Sequence, residues 1–378
     1  MQAARHAFSA LDRSGYDAKS QIPSWGRLLL AGGRIDGMDT QAQLNRSANV
    51  APQAGRIGSR IERWWFAASV ISSVIFVAGA VGGRLWLFEL ANHFRLQLAV
   101  AMLVLAVGLI WSPRRRWRLA FLLITAWAVW SVASIWIPTA QPPAGQTTLR
   151  IMSANVLNVN LHFAEFEQLV ADVDPDVLVV IEYTNRWDAR IPNIKSRFTY
   201  SESSPRNHGF GIAVFSKQPL DHLHEFLLAE RVDAPSFSFE HTLDGRNLTI
   251  TAVHTLSPLS YIRFVARNEQ LRNLSSRIRA TKGSQIVVGD FNSTTWSPYM
   301  RDFVTTSGLQ DSRQGLGLQC SWPAFCWPMM IAIDQAFVSP DVHIHRRWVE
   351  RYVGSDHWPI VLDVSISPAA MQPDDRSN

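Results

Sequence analysis

Only two cysteines occur in the 378 residues, Cys320 and Cys326, and no further ligands stand near them at finger-like spacing. That scarcity argues against a structural zinc site. Charge is scarce too: 18% of residues are charged and 47% hydrophobic, which excludes a wholly disordered chain. The first thirty residues lack the apolar run of a cleavable signal peptide. Acidic side chains are nearly missing from the N-terminal part. Residues 1–149 hold 15 Lys/Arg against 6 Asp/Glu, a net of +9, whereas residues 150–378 hold 21 against 25, a net of −4. The overall excess of +5 therefore belongs to the N-terminal part. It says little in favour of a nucleic-acid groove in the rest.

Charge is absent altogether from three stretches, at about 64–83, 96–113 and 119–138. Each approaches the roughly 20 apolar residues that cross a hydrocarbon core, so three transmembrane helices are expected. Buried helices of a soluble fold are the alternative, but those rarely stay uncharged on every face. Eight of the 15 tryptophans lie between Trp64 and Trp136, several near span ends, as interfacial belts do. Arg56, Arg60 and Arg63 precede the first span, and Arg114, Arg115, Arg116 and Arg118 fill the second loop. The first loop carries only Arg84 and Arg95, offset by Glu89. Strongly basic flanks stay cytoplasmic. The expectation is thus a multi-pass inner-membrane protein with its N-terminus inside and everything after Pro138 outside. Residues 1–59 read as a flexible tail, 139–149 as a Pro/Gly linker and 367–378 as a second tail. Gly79 and Gly83 form a small-xxx-small pair suited to helix packing. Outside the cytoplasm, Cys320 and Cys326 become candidates for a disulfide, with free thiols as the alternative.

Between 150 and 366 the pattern changes to short β-rich runs alternating with helices. Strands are expected at 149–155, 176–181, 211–215, 236–241, 248–254, 285–288, 331–338, 343–350 and 360–364, with helices at 163–173 and 262–280. So many strands with so few helices predict an α/β sandwich and not a doubly wound sheet. Polar residues stand where these strands end: Asn155, Glu182, His254, Asp290 with Asn292, and Asp356 with His357. Asp334 interrupts an apolar strand. Singly, most have ordinary explanations: a turn residue for Asn155, a charge at a helix start for Glu182, a core histidine for His254, an Asx turn for Asp290. Together, four carboxylates at one edge are costly without a cation. All-oxygen ligation of this kind suits Mg²⁺, Mn²⁺ or Ca²⁺.

The order of these residues resembles the endonuclease/exonuclease/phosphatase superfamily over about residues 148–366. The matching parts are the first-strand Asn155, Glu182 after an apolar strand, Gly-Asp-Phe-Asn at 289–292, Asp334 in Ile-Asp-Gln, and the closing Ser-Asp-His at 355–357. An Arg-Asn-Glu-Gln run at 267–270 is similar to that of bacterial membrane-anchored members. Two departures touch substrate contacts: Ile181 stands where many members have Gln, and Val-His-Thr-Leu-Ser-Pro replaces a Pro-rich stretch. The resemblance implies a four-layer sandwich of two packed β-sheets flanked by helices. It also implies a phosphodiesterase, nuclease or phosphatase that uses Mg²⁺ or Mn²⁺. In that frame Glu182, Asp356 and Asn155 hold the metal, and Asp290 and Asn292 handle the attacking water. His357, oriented by Asp334, contacts the phosphate together with Asn155 and Asn292, and His254 protonates the leaving oxygen.

The substrate stays open among phospholipid, small phosphodiester and nucleic acid. Arg263, Arg267, Arg272, Arg277 and Arg279 spread around one predicted helix and read as a solvated face. Trp296, Pro298 and Tyr299 form either an apolar substrate wall or core. A catalytically silent member of the fold, acting as a binding or signalling module in the membrane, is the competing function.

Overall fold

The computed structural model describes residues 53–110, 112–138, 142 and 146–367, with backbone alone for 53–59. Except for helical backbone at 53–59, the expected N-terminal tail lies outside the described residues. So do most of the linker and the C-terminal tail.

Among the described residues four helices come first: α1 (Gln53–Gly82), α2 (Trp86–His93), α3 (Arg95–Gly108) and α4 (Arg115–Ala133). Two stretches, Arg60–Gly82 and Arg115–Trp136, are long and apolar enough to cross a membrane. A third arises only if α2 and α3, bent by 71° at Phe94, count as one span. This modifies the expected straight span over 96–113, because α3 stops at Gly108. The bend has a chemical cause. Glu89, Asn92 and His93 on α2 are buried, and buried polar groups need partners. Asn92 Nδ2 donates to Gly79 O at 2.7 Å, while Glu89 and His93 reach residues beyond position 290. A Cβ on Gly83 would come within 2.4 Å of Asn92 Nδ2, so the small pair at Gly79 and Gly83 makes room for α2.

The remaining elements are β1 (Leu149–Asn155), α5 (Phe163–Val173), β2 (Val177–Ile181), α6 (Asn185–Arg190), α7 (Pro192–Arg197), β3 (Tyr200–Ser204), β4 (Ile212–Ser216), β5 (Asp221–Leu227), β6 (Pro235–Leu243), β7 (Arg246–His254), α8 (Tyr261–Ala280), β8 (Ser284–Asp290), α9 (Pro298–Ser307), β9 (Gln310–Asp311), β10 (Asp334–Val338), β11 (Val342–Val349) and β12 (Ile360–Ile366). They form two six-stranded sheets, ordered β11-β12-β1-β2-β4-β3 and β5-β6-β7-β8-β10-β9. Ile151, Val179, Ile250 and Val288 belong to the apolar layer between the sheets. Burying each such side chain contributes about 1.5–3 kcal/mol. Phe166 and Leu169 of α5 cover the outside of the first sheet; Leu271 and Leu274 of α8 cover the second. The expected four-layer sandwich is the observed one.

The strands that sequence patterning omitted are polar or short. β3 and β5 lie at sheet edges with mostly exposed side chains, and β9 has two residues. Edge strands lack the apolar run that marks a buried one.

Candidate active site

Each sheet contains one parallel pair joined by a crossover helix: β1 with β2 through α5, and β7 with β8 through α8. Parallel neighbours end on the same side. In register, Asn155 sits opposite Ile181, and His254 opposite Asp290. The antiparallel neighbours begin where those strands end, so Asp334 faces Asp290, and β12 starts just after Asp356 and His357. Topology thus gathers all eight expected residues at one edge. Six of them line one cavity of about 450 Å³, and hydrogen bonds bind Asn155 and Asp334 to that set.

Three backbone features hold them there. Gly289 has φ of +150°, and a Cβ on it would lie 1.9 Å from Val253 O, so only glycine lets β8 approach β7 at this point. Glu182 and Asn292 adopt left-handed conformations, with φ of 61° and 47°. Asn tolerates that region, but for Glu182 it costs on the order of 1–3 kcal/mol, strain of the kind found at functional sites. Glu182 therefore does not open a helix. It caps β2, and α6 begins later, with the Thr184 side chain accepting from Trp187 N.

Asn155 is the hub. Its Nδ2 donates to Glu182 Oε1 at 3.1 Å and to Asp290 Oδ2 at 3.2 Å, while its Oδ1 accepts from Leu157 N. Glu182 Oε2 accepts from Asn158 N at 3.0 Å. Asp290 Oδ1 accepts from Asn292 N, and Asn292 Nδ2 donates to Thr255 O and Asp290 Oδ2. Asp334 is not mid-strand but the first residue of β10. Its Oδ2 accepts from Ser321 Oγ at 2.6 Å and pairs with His357 Nδ1 at 2.7 Å. His357 Nε2 and His254 Nε2 then lie 3.8 Å and 3.6 Å from Asp290 Oδ2.

Charge states follow from this packing. Burial disfavours charge on His357, but the Asp334 and Asp290 carboxylates outweigh it and push its pKa up to about 10. The ring is an imidazolium. For His254, burial together with the His357 cation outweighs the Asp334 charge and pushes its pKa down to about 3. Burial, then the Asp334 charge, raises Asp290 to about 7. Burial also raises Glu182.

Two donor sets bear on a metal. Asp290, Asp334 and His357 offer ligand atoms within 4.8 Å of one another, the single group of three acidic, His or Cys residues among those described. That group is closed by its own ion pair, which a cation would have to break. Glu182 and Asp356 line the cavity beside Asn155. Asp356 Oδ1 is buried and has no hydrogen-bond partner among the described residues, while its Oδ2 accepts from Trp322 Nε1 at 3.0 Å. An orphaned carboxylate oxygen beside a second carboxylate and an amide is a donor set that fits a hard divalent cation.

Sequence reasoning missed Trp322, Asn158 and His208, which also face the cavity, as does Arg263, expected on a solvated helix face. Asn158 alone had a local signal, three residues after Asn155. Of the two readings of Trp296 and Tyr299, packing is the one observed: Trp296 packs with the N-terminal apolar helices and donates to Ser131 O, and Tyr299 Oη donates to Arg84 O. Arg267 is not on a solvated face: it is fully buried and paired with Glu89 Oε1 at 2.7 Å. Cys320 and Cys326, candidates for a disulfide with free thiols as the alternative, are not joined in this structure.

A family model described as the endonuclease/exonuclease/phosphatase family matches residues 152–357. No curated protein sequence matches the chain. Among solved structures, the human Nocturnin catalytic domain with bound sulfate is 18% identical, covers 60% of this chain and 100% of its own, and has a TM-score of 0.49. A humanised D. rerio TDP2 is 17% identical over 58% of this chain and 99% of its own, with a TM-score of 0.48. An endonuclease/exonuclease/phosphatase from Beutenbergia cavernae is 18% identical over 60% and 73%, also with a TM-score of 0.48.

Proposed function

Because the chain belongs to the endonuclease/exonuclease/phosphatase family, we propose that it is a divalent-metal-dependent hydrolase of phosphate esters, anchored in the inner membrane with its catalytic domain outside the cytoplasm. The observation that carries the reading is the convergence of carboxylate, amide and imidazole groups on one cavity. A catalytically silent module has no need of the whole set.

Glu182 and Asp356, with Asn155 beside them, would hold Mg²⁺ or Mn²⁺, which when bound supplies charge neutralisation at the phosphoryl oxygens. Asp290 is the base. Its carboxylate faces the cavity, and Asn292 holds it in place through N and Nδ2. The water oxygen bonds to phosphorus, its proton passes to Asp290, and the ester P–O bond breaks. His357, kept cationic by Asp334, donates Nε2–H to a phosphate oxygen. His254 is neutral at rest; an anionic phosphate beside it favours its protonated form, which then supplies the leaving oxygen with a proton.

The test is turnover of bis-p-nitrophenyl phosphate by the full-length protein in detergent with Mg²⁺ or Mn²⁺. Asp290→Ala and His357→Ala are expected to lower kcat by about 10²–10⁴ without loss of folding. Near-native rates in either variant refute the reading and favour the silent module.

Orientation rests on helix polarity as well as flanking charge. Gly83 after α1, Gln97 in α3 and Ser131 in α4 all contact the sandwich, so the basic loop at Arg114–Arg118 lies at the other end of the helices. A periplasm-dependent reporter fused after Thr148 should be active; activity from a cytoplasm-dependent reporter alone reverses the orientation.

A further inference from the structure

The cavity has a polar floor and an apolar wall, and part of that wall comes from the membrane segment. Leu90, His93 and Phe94, at the α2–α3 bend, line it together with Leu259, Ile331 and Ile333. Two chain segments that contribute lining residues, Leu259 with Arg263 and Trp322 with Ile331, also carry large exposed apolar side chains. Leu259 is 75% exposed and Ile262 80% exposed, in the loop and first turn that lead into α8, and Phe325 and Trp327 are each 79% exposed. Exposed apolar side chains of this size beside a cavity are of the kind that marks an interaction site.

Both loops are tied to the helices that approach the bilayer. Trp86 Nε1 donates to Pro258 O at 2.8 Å, and the Trp86 and Tyr261 rings lie edge to face at 6.4 Å. Gln97 Nε2 donates to Met330 O at 3.0 Å and to Pro328 O at 3.2 Å. The exposed tips are therefore held where the apolar helices meet the sandwich, the level at which aromatic side chains favour the membrane interface. The cavity is scaled for a head group, within the range of small-molecule sites. Arg263 is the one Arg or Lys among its lining residues. Arg263 and the His357 imidazolium suit a single phosphate group, and not the row of phosphates that a polynucleotide presents.

Building on the hydrolase reading above, we infer that the substrate is a phosphate ester of a long-chain lipid. It is taken from the bilayer surface with its phosphate over the polar floor and its chains along Leu90, Phe94 and Leu259. Hydrolysis is the same step: water adds at phosphorus, the opposite P–O bond breaks, and the leaving oxygen takes a proton.

The experiment uses the full chain in nanodiscs with Mg²⁺ and compares dioctanoyl phosphatidylglycerol, its deacylated glycerophosphodiester, single-stranded DNA and bis-p-nitrophenyl phosphate. The kcat/KM for the acylated lipid should exceed that of its deacylated form by more than about tenfold, the equivalent of about two buried methylenes. In the Ile262→Ser/Phe325→Ser/Trp327→Ser variant, that ratio should fall by about tenfold. These tips are exposed, so the fold does not depend on them. Equal or better turnover of the deacylated form or of DNA overturns the lipid assignment and leaves the hydrolase reading standing. An unchanged ratio in the triple variant also overturns it. Loss of turnover on every substrate, the generic diester included, overturns both.

Discussion

Arg267→Met is the most direct test of how the N-terminal apolar helices and the sandwich form one site. Arg267 Nη2 and Glu89 Oε1 are 2.7 Å apart and fully buried, and Glu89 Oε1 also accepts from Ser297 Oγ at 2.7 Å. Removing the guanidinium leaves a buried carboxylate with only a hydroxyl and the imidazole of His93, 3.4 Å away. Breaking a buried pair from one side costs about 3–5 kcal/mol. Replacing both members by apolar groups of similar volume is often neutral or better, so Glu89→Leu/Arg267→Met should recover most of that loss. Thermal unfolding of the full chain in detergent reads both. At about 2–4 °C per kcal/mol the single variant should lose about 6–20 °C, and the double-mutant cycle should show a coupling of at least about 2 kcal/mol. Activity should follow stability, because α2 supplies Leu90 and His93 to the cavity wall. A single variant as stable as the native chain, or a double variant no better than the worse single, refutes the argument.

Trp322→Phe removes the indole N–H that fixes Asp356 and should weaken Mg²⁺ or Mn²⁺ binding by about 10–100-fold, read by metal titration of the folded protein; unchanged affinity removes Asp356 from the metal shell. Asp334→Asn takes away a carboxylate that keeps His357 cationic. The His357 pKa, followed by NMR, should drop, and kcat should fall while the melting temperature changes less than in Arg267→Met. Asp311 is a depressed carboxylate: burial opposes its ionisation, but Arg313, whose Nη2 is 2.6 Å from its Oδ2, prevails. Its contribution to stability is present above the unfolded value of about 3.9 and disappears as pH falls through the lower folded one. Asp311→Asn should therefore be less stable than the native chain at pH 7, with the gap closing on acidification; a gap that is independent of pH refutes the pairing.

Much of the site was legible in the chain because its signals are local. Asn155, Glu182, His254 and Asp290 each follow a strand whose apolar run is visible in a few residues, and Gly289 marks a position that only glycine can fill. Edge strands β3 and β5 were not legible, since half-exposed strands carry no comparable pattern. Neither were the places of Trp322, on a loop, and of Arg263, in the first turn of α8, because local sequence does not say which cavity a loop or helix end will face.

By itself the sequence determined the family resemblance, the strand ends that carry the candidate site, and the apolar helices that precede it. Those properties depend on residue type and on spacing over one element. Only the tertiary structure decided that the α2–α3 bend lines the candidate cavity and that Glu89 meets Arg267, 178 residues away. It alone decided that Trp296 and Tyr299 serve the helix seam instead of the substrate. The reason is physical. A buried charge must find an opposite charge, and which one it finds is fixed by packing across the whole chain and not by neighbours in sequence.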